Sequence, residues 1–110
     1  MASIDIGKLL KSMLDAAQGQ VKDMWPEVRD YAESEFKKLG ETFVTIQKLY
    51  LAGKIDKKQA KLLLSLQKNS TRSVFLAIEG MGLILAERAI NAALKTVKDT
   101  VNGALGFALL

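Results

Sequence analysis

The chain of 110 residues contains no cysteine and no histidine. Disulfides, thiol nucleophiles, the usual zinc ligand sets and imidazole acid/base chemistry are therefore closed to it. Proline occurs once, and aromatic residues make up 6% of the chain. So little proline beside abundant Ala, Leu and Lys favours helix over sheet. There is also no block of like charge. The 16 basic and 12 acidic residues are interspersed, and their balance of +4 argues for solubility and not for a particular partner.

Neither a secretory signal nor a membrane span is expected. Met1 to Leu14 carries one lysine ahead of an apolar stretch interrupted by polar residues, with no small-residue cleavage pattern behind it. It does not read as a secretory signal, and a cytoplasmic protein is expected. Val74 to Leu94 has the ~20-residue length of a bilayer crossing. Glu79, Glu87 and Arg88 lie within it, however. A charge at the centre of such a span costs roughly 2.5 to 3.5 kcal/mol, so the segment is expected to be a buried helix.

What is present is helical periodicity. Ile6, Leu10, Met13, Ala17, Val21, Met24, Val28, Ala32, Leu39, Phe43, Ile46 and Tyr50 recur at helical spacing, with Lys11, Asp15, Lys22, Asp30, Lys37 and Lys48 mostly on the other side. Pro26 lacks an amide hydrogen and crowds the preceding turn, so this first arm is either kinked there or broken into two helices, the second beginning at Pro26. The phase of the stripe carries across Pro26, which favours the kink. Gly53 supplies a left-handed helix stop, and Asp56 with Gln59 forms a capping box for the next start, with Ile55 and Ala60 as a staple. From Lys57 the apolar pattern runs on through Leu62, Leu66, Leu76, Leu83, Ile90, Leu94 and Val101, with a soft spot at Asn69, Ser70 and Thr71.

The expected fold is thus an all-α antiparallel hairpin in a single domain. Its first arm covers about 3–52, the turn 53–56, the second arm about 57–102, and an apolar tail 103–110 packs against something. A hairpin alone cannot bury both stripes, and Val74 to Leu85 is apolar on nearly every side. Self-association is therefore expected, most simply as a two-fold homodimer forming a four-helix bundle. A sharp break at Pro26 would give a three-helix monomer instead.

Three ionisable residues fall on the inward faces, Glu35 on the first arm and Arg72 and Glu79 on the second. Folding about the turn brings Arg72 and Glu79 within ~3 to 8 Å of axial rise of Glu35. One expectation is a buried polar layer with a Glu35–Arg72 salt bridge and Glu79 hydrogen-bonded nearby or at a subunit boundary, because buried charge is costly unless paired. The alternative is a carboxylate metal site in which Glu35 and Glu79 of two chains, with Glu87, act as in ferritin-like bundles. Those bundles use Glu-x-x-His pairs, whereas Lys38 and Gly82 stand three residues after Glu35 and Glu79. No cofactor is expected. Gly80 and Gly82 each cost about 1 kcal/mol inside a helix and are expected to mark close packing of two helix backbones.

Lys54, Lys57, Lys58, Lys61 and Lys68 lack the arginine, interleaved aromatics or module that nucleic-acid binding would want. The leading functional expectation is a non-enzymatic interaction or structural protein, acting through association with itself or with another helical protein. After the metal protein, the second alternative is a helical protein that lies on a membrane surface or binds lipid through Val74 to Leu110.

Overall fold

The computed structural model describes residues 3–110 and contains four α-helices. α1 spans Ile6–Val21, α2 Trp25–Leu51, α3 Lys57–Leu76 and α4 Leu83–Leu105, with one turn of 3-10 helix at Lys22–Met24. They run up, down, up and down in a body of 43 × 22 × 18 Å.

Asp5 caps α1 by accepting from the Lys8 amide at 3.2 Å. One side of α1 is buried through Leu9, Met13, Ala17 and Val21. Pro26 sits in the first turn of α2, where its missing N–H and its ring rule out the α-helical hydrogen bond to the carbonyl four residues back, that of Lys22. The chain therefore does more than kink. Lys22 takes φ +51°, an uncommon conformation for a residue with a side chain, and α2 then returns antiparallel along α1. The Ile6 side chain comes to lie over Gly40, where an added Cβ would stand 3.1 Å from Ile6 Cγ2.

The turn after α2 matches the sequence expectation. Gly53 adopts φ +73°, its amide donates to Tyr50 O at 3.0 Å, and the Lys54 amide donates to Leu49 O at 2.8 Å. These are the paired hydrogen bonds of a Schellman stop. The Asp56 side chain then accepts from the Gln59 amide at 2.7 Å, and Gln59 Oε1 accepts from the Asp56 amide at 2.9 Å, which completes the capping box.

The second arm departs from the expected 57–102 helix. Asn69, Ser70 and Thr71 are helical, and the break falls at 77–82. There the Met81 amide donates to Ile78 O at 3.0 Å, around Gly80 at φ +86°. A turn with positive φ at its third residue requires glycine, and Gly82 precedes α4 in extended conformation. Ile78 and Met81 are buried and pin the turn to the core. The expected role of Gly80 and Gly82 is thereby corrected. A Cβ on Gly80 would find only Met24 Cε at 3.6 Å, and one on Gly82 nothing within 4 Å, so neither marks a close helix crossing. Gly40 does.

With this third reversal, one chain supplies four helices to a shared core centred on Phe36, Phe43, Phe75, Met13, Leu39 and Ile90. The Phe36 and Phe75 rings meet at 5.8 Å and 58°. Small residues, Ala17 on α1 and Ala86, Ala89 and Ala93 on α4, are fully buried and let α1 and α4 pack closely. The apolar stripes of the expected hairpin are thus covered largely within the chain.

The tail is helical as far as Leu105, and Gly106 closes α4 at φ +81°. Asn102 then clasps the last two residues. Its Oδ1 accepts from the Leu109 and Leu110 amides, both at 3.0 Å, and its Nδ2 donates to Leu110 O at 3.2 Å. Leu109 is buried, and the Phe107 ring lies 4.6 Å from that of Tyr50, with Lys57 Nζ 5.8 Å above it. Among the described residues, no helix is long and apolar enough to cross a membrane.

Candidate functional site

Glu35 is 3% exposed on the core side of α2, where the stripe of Ala32, Phe36 and Leu39 carries it inward. Its Oε2 accepts from Lys38 Nζ at 3.1 Å, while Oε1 has no hydrogen-bond partner among the described residues. The spacing of three residues puts Lys38 one turn along the same helix, and its long stem lets the ammonium reach a buried carboxylate while remaining half in water.

Arg72 does not reach Glu35. It lies partly buried on α3, where its Nε donates to Glu87 Oε1 on α4 and its Nη1 to Asn69 Oδ1 at 2.7 Å. Glu79 lies in the turn between these two helices, and the structure records no ion pair for it among the described residues. The expected layer of Glu35, Arg72 and Glu79 is therefore divided among three places. In one continuous helix Arg72 and Glu87 would stand ~22 Å apart, but the reversal at 77–82 brings them side by side.

The three carboxylates weighed as metal ligands, Glu35, Glu79 and Glu87, are likewise separated, and no group of three or more metal-ligating side chains occurs among the described residues. Glu87 is engaged by Arg72 and Glu35 by Lys38.

Exposed apolar side chains lie on α3 as well as at the start of α4, where Leu83 and Ile84 are also exposed. Only Ala60, Leu64, Thr71 and Phe75 of α3 are buried, whereas Leu62, Leu66 and Leu76 are 59%, 58% and 42% exposed. Successive 100° steps place Leu62, Leu66, Asn69, Ser73 and Leu76 within about 40° of one line, a stripe ~21 Å long. The stripe is uncharged until Lys58 at one end and Glu79 beyond the other. Beside it, a groove of about 460 Å³ between α2 and α3 is lined by Lys38, Thr42, Ile46, Leu63, Leu66 and Gln67, among others.

The periodicity in the sequence contains this stripe but does not reveal it, because Leu62 and Leu66 look the same as the core leucines beside them. The signal lies in the adjacent leucines. A run of three at 62–64 must send at least one outward on a helix. No protein-family model matches the chain, nor does any curated protein or solved structure.

Proposed function

We propose that the protein is a non-enzymatic helical interaction module that associates with a second copy of itself through the outward face of α3. The observation that carries this reading is the uncharged stripe of Leu62, Leu66 and Leu76. Contiguous exposed apolar surface marks interaction sites; here Leu62 and Leu66 adjoin one turn apart, and Asn69 and Ser73 carry the uncharged line on to Leu76.

A two-fold interface must be self-complementary, and the α3 stripe has this property. An antiparallel pairing centred on Asn69 sets Leu62 of one copy over Leu76 of the other. It also brings Lys58 of one copy towards Glu79 of the other, so opposite charges close both ends. Each copy already has its own core, so association of this kind is reversible and depends on concentration.

Leu62→Lys with Leu66→Lys is the direct test, because both side chains are exposed and their replacement leaves the core intact. Sedimentation equilibrium should show the unmodified chain associating and the double variant monomeric, with the same helical content by circular dichroism. Equal masses for the two proteins would sink the assignment to this face.

A further inference from the structure

A second groove, of about 420 Å³, lies on the other side of α3, between α3, α4 and the tail. Its floor is apolar, formed by Leu64, Leu94, Leu109 and Leu110, and its rim carries Lys68, Lys95 and Lys98 with Asn91. The arrangement is set by spacing. Asn91, Lys95 and Lys98 succeed one another at four and three residues along α4, and Leu64 and Lys68 at four along α3, so each helix presents one ridge to the groove. Counting outward from the Arg72–Glu87 pair sets Lys68 level with Asn91 and Leu64 level with Lys95.

Three properties of this groove belong together. No acidic residue lines it, and the nearest on α4, Asp99, lies outside the lining. None of its three lysines forms an ion pair among the described residues. The buried leucines Leu64, Leu94 and Leu109 retain 8%, 7% and 6% exposure, so a strip of apolar surface lies between three lysines. A volume of this size falls in the ~300 to 1,000 Å³ range of small-molecule sites.

From this juxtaposition we infer that the groove binds a single-chain amphiphile with an anionic head, of the fatty-acid class. The carboxylate sits among Lys68, Lys95 and Lys98, and the hydrocarbon chain lies along Leu64, Leu94 and the tail leucines. The cations draw in the head by charge-assisted hydrogen bonds, and the floor gains by losing water from apolar surface. Because the tail forms one wall, Asn102 holds that wall in place through its bonds to Leu109 and Leu110. This site is separate from the outward stripe, since Leu64 and Lys68 stand roughly 120 to 160° round α3 from it.

The experiment uses the full chain and decanoate below its micelle concentration, read by calorimetry and by amide chemical shifts. The expected result is saturable one-to-one binding with shifts confined to 64–68, 91–98 and 107–110. Lys68→Gln, Lys95→Gln and Lys98→Gln combined should weaken it at least tenfold without altering thermal unfolding, and 1-decanol should bind at least tenfold more weakly than decanoate. Three outcomes would overturn the proposal: no saturable binding at millimolar decanoate, unchanged affinity in the triple variant, or shifts centred on Leu62 and Leu66. A change in native mass of the ligand-free triple variant would also overturn it, because the groove would then be occupied by a second copy.

Discussion

Arg72 on α3 and Glu87 on α4 form an ion pair across two helices that the sequence pattern runs together as one. Both side chains are about one third exposed, so solvent screens the pair and its coupling is modest, on the order of 0.5 to 1 kcal/mol. A double-mutant cycle on Arg72→Ala and Glu87→Ala should show this coupling, and should show none between Arg72 and Glu35. Coupling of Arg72 to Glu35 instead would restore the layer expected from a continuous arm.

Glu35 behaves differently, because its carboxylate is buried with one partner and one unpaired oxygen. Lys38→Met removes that partner and should destabilise by roughly 1 to 3 kcal/mol, the cost of leaving a buried group unsatisfied. Glu35→Met removes the charge itself and should be neutral or stabilising, as replacement of buried ionic groups by apolar ones of similar size often is. Urea unfolding of both variants checks this, and a Glu35→Met protein less stable than Lys38→Met would contradict it.

The glycines should divide by backbone and by space. A Cβ on Gly19 or Gly103 would meet nothing within 4 Å, and both lie in helices, so Gly19→Ala and Gly103→Ala should each stabilise by about 0.5 to 1 kcal/mol. Gly80→Ala should cost roughly 1 to 2 kcal/mol, because φ +86° opposes any L side chain. Gly40→Val should also destabilise, by forcing Ile6 away from α2. Thermal melts of the four variants give the signs directly.

These positions also show how much of the fold is legible in the sequence. The stop at Gly53 and the capping box at Asp56 and Gln59 can be read because their hydrogen bonds are local, within a few residues of chain. The all-helical class can be read because two-sided periodicity needs only composition and spacing. The reversals at Pro26 and at 77–82 are another matter. An apolar stripe in constant phase across Pro26 is what one bent helix produces, and equally what two helices produce when each buries its own stripe. Gly80 and Gly82 are costly in a helix, yet close packing and a turn both account for glycine, and only the burial of Ile78 and Met81 beside them distinguishes the two. Once the second arm is taken as continuous, Glu79 faces inward and Glu87 lies far from Arg72. The candidate polar layer therefore inherits an error of topology, while the burial of Glu35 is legible from its own helix. The clasp of Asn102 on the tail and the donation of Gln47 Nε2 to Ala104 O at 3.2 Å join residues whose approach depends on that topology.

Asn102→Ala should release the tail. Losing acceptance from two amides and one donated hydrogen bond should cost about 1 to 2 kcal/mol, and hydrogen exchange at Leu109 and Leu110 should accelerate while that of α2 stays slow. Unchanged protection at both residues would show that Leu109 packing alone holds the segment.

Self-association through α3 is tested most directly by a charge exchange at its two ends, measured by native mass spectrometry. Lys58→Glu alone and Glu79→Lys alone should each associate more weakly than the unmodified chain, because both ends then meet like charge. A mixture of these two single variants should form heterodimers in preference to either homodimer, since opposite charges again meet at both ends. The single chain carrying both exchanges should associate as the unmodified one does, for the same reason. If the double exchange fails to restore the dimer, or if the unmodified chain is monomeric at every concentration, the α3 interface is wrong.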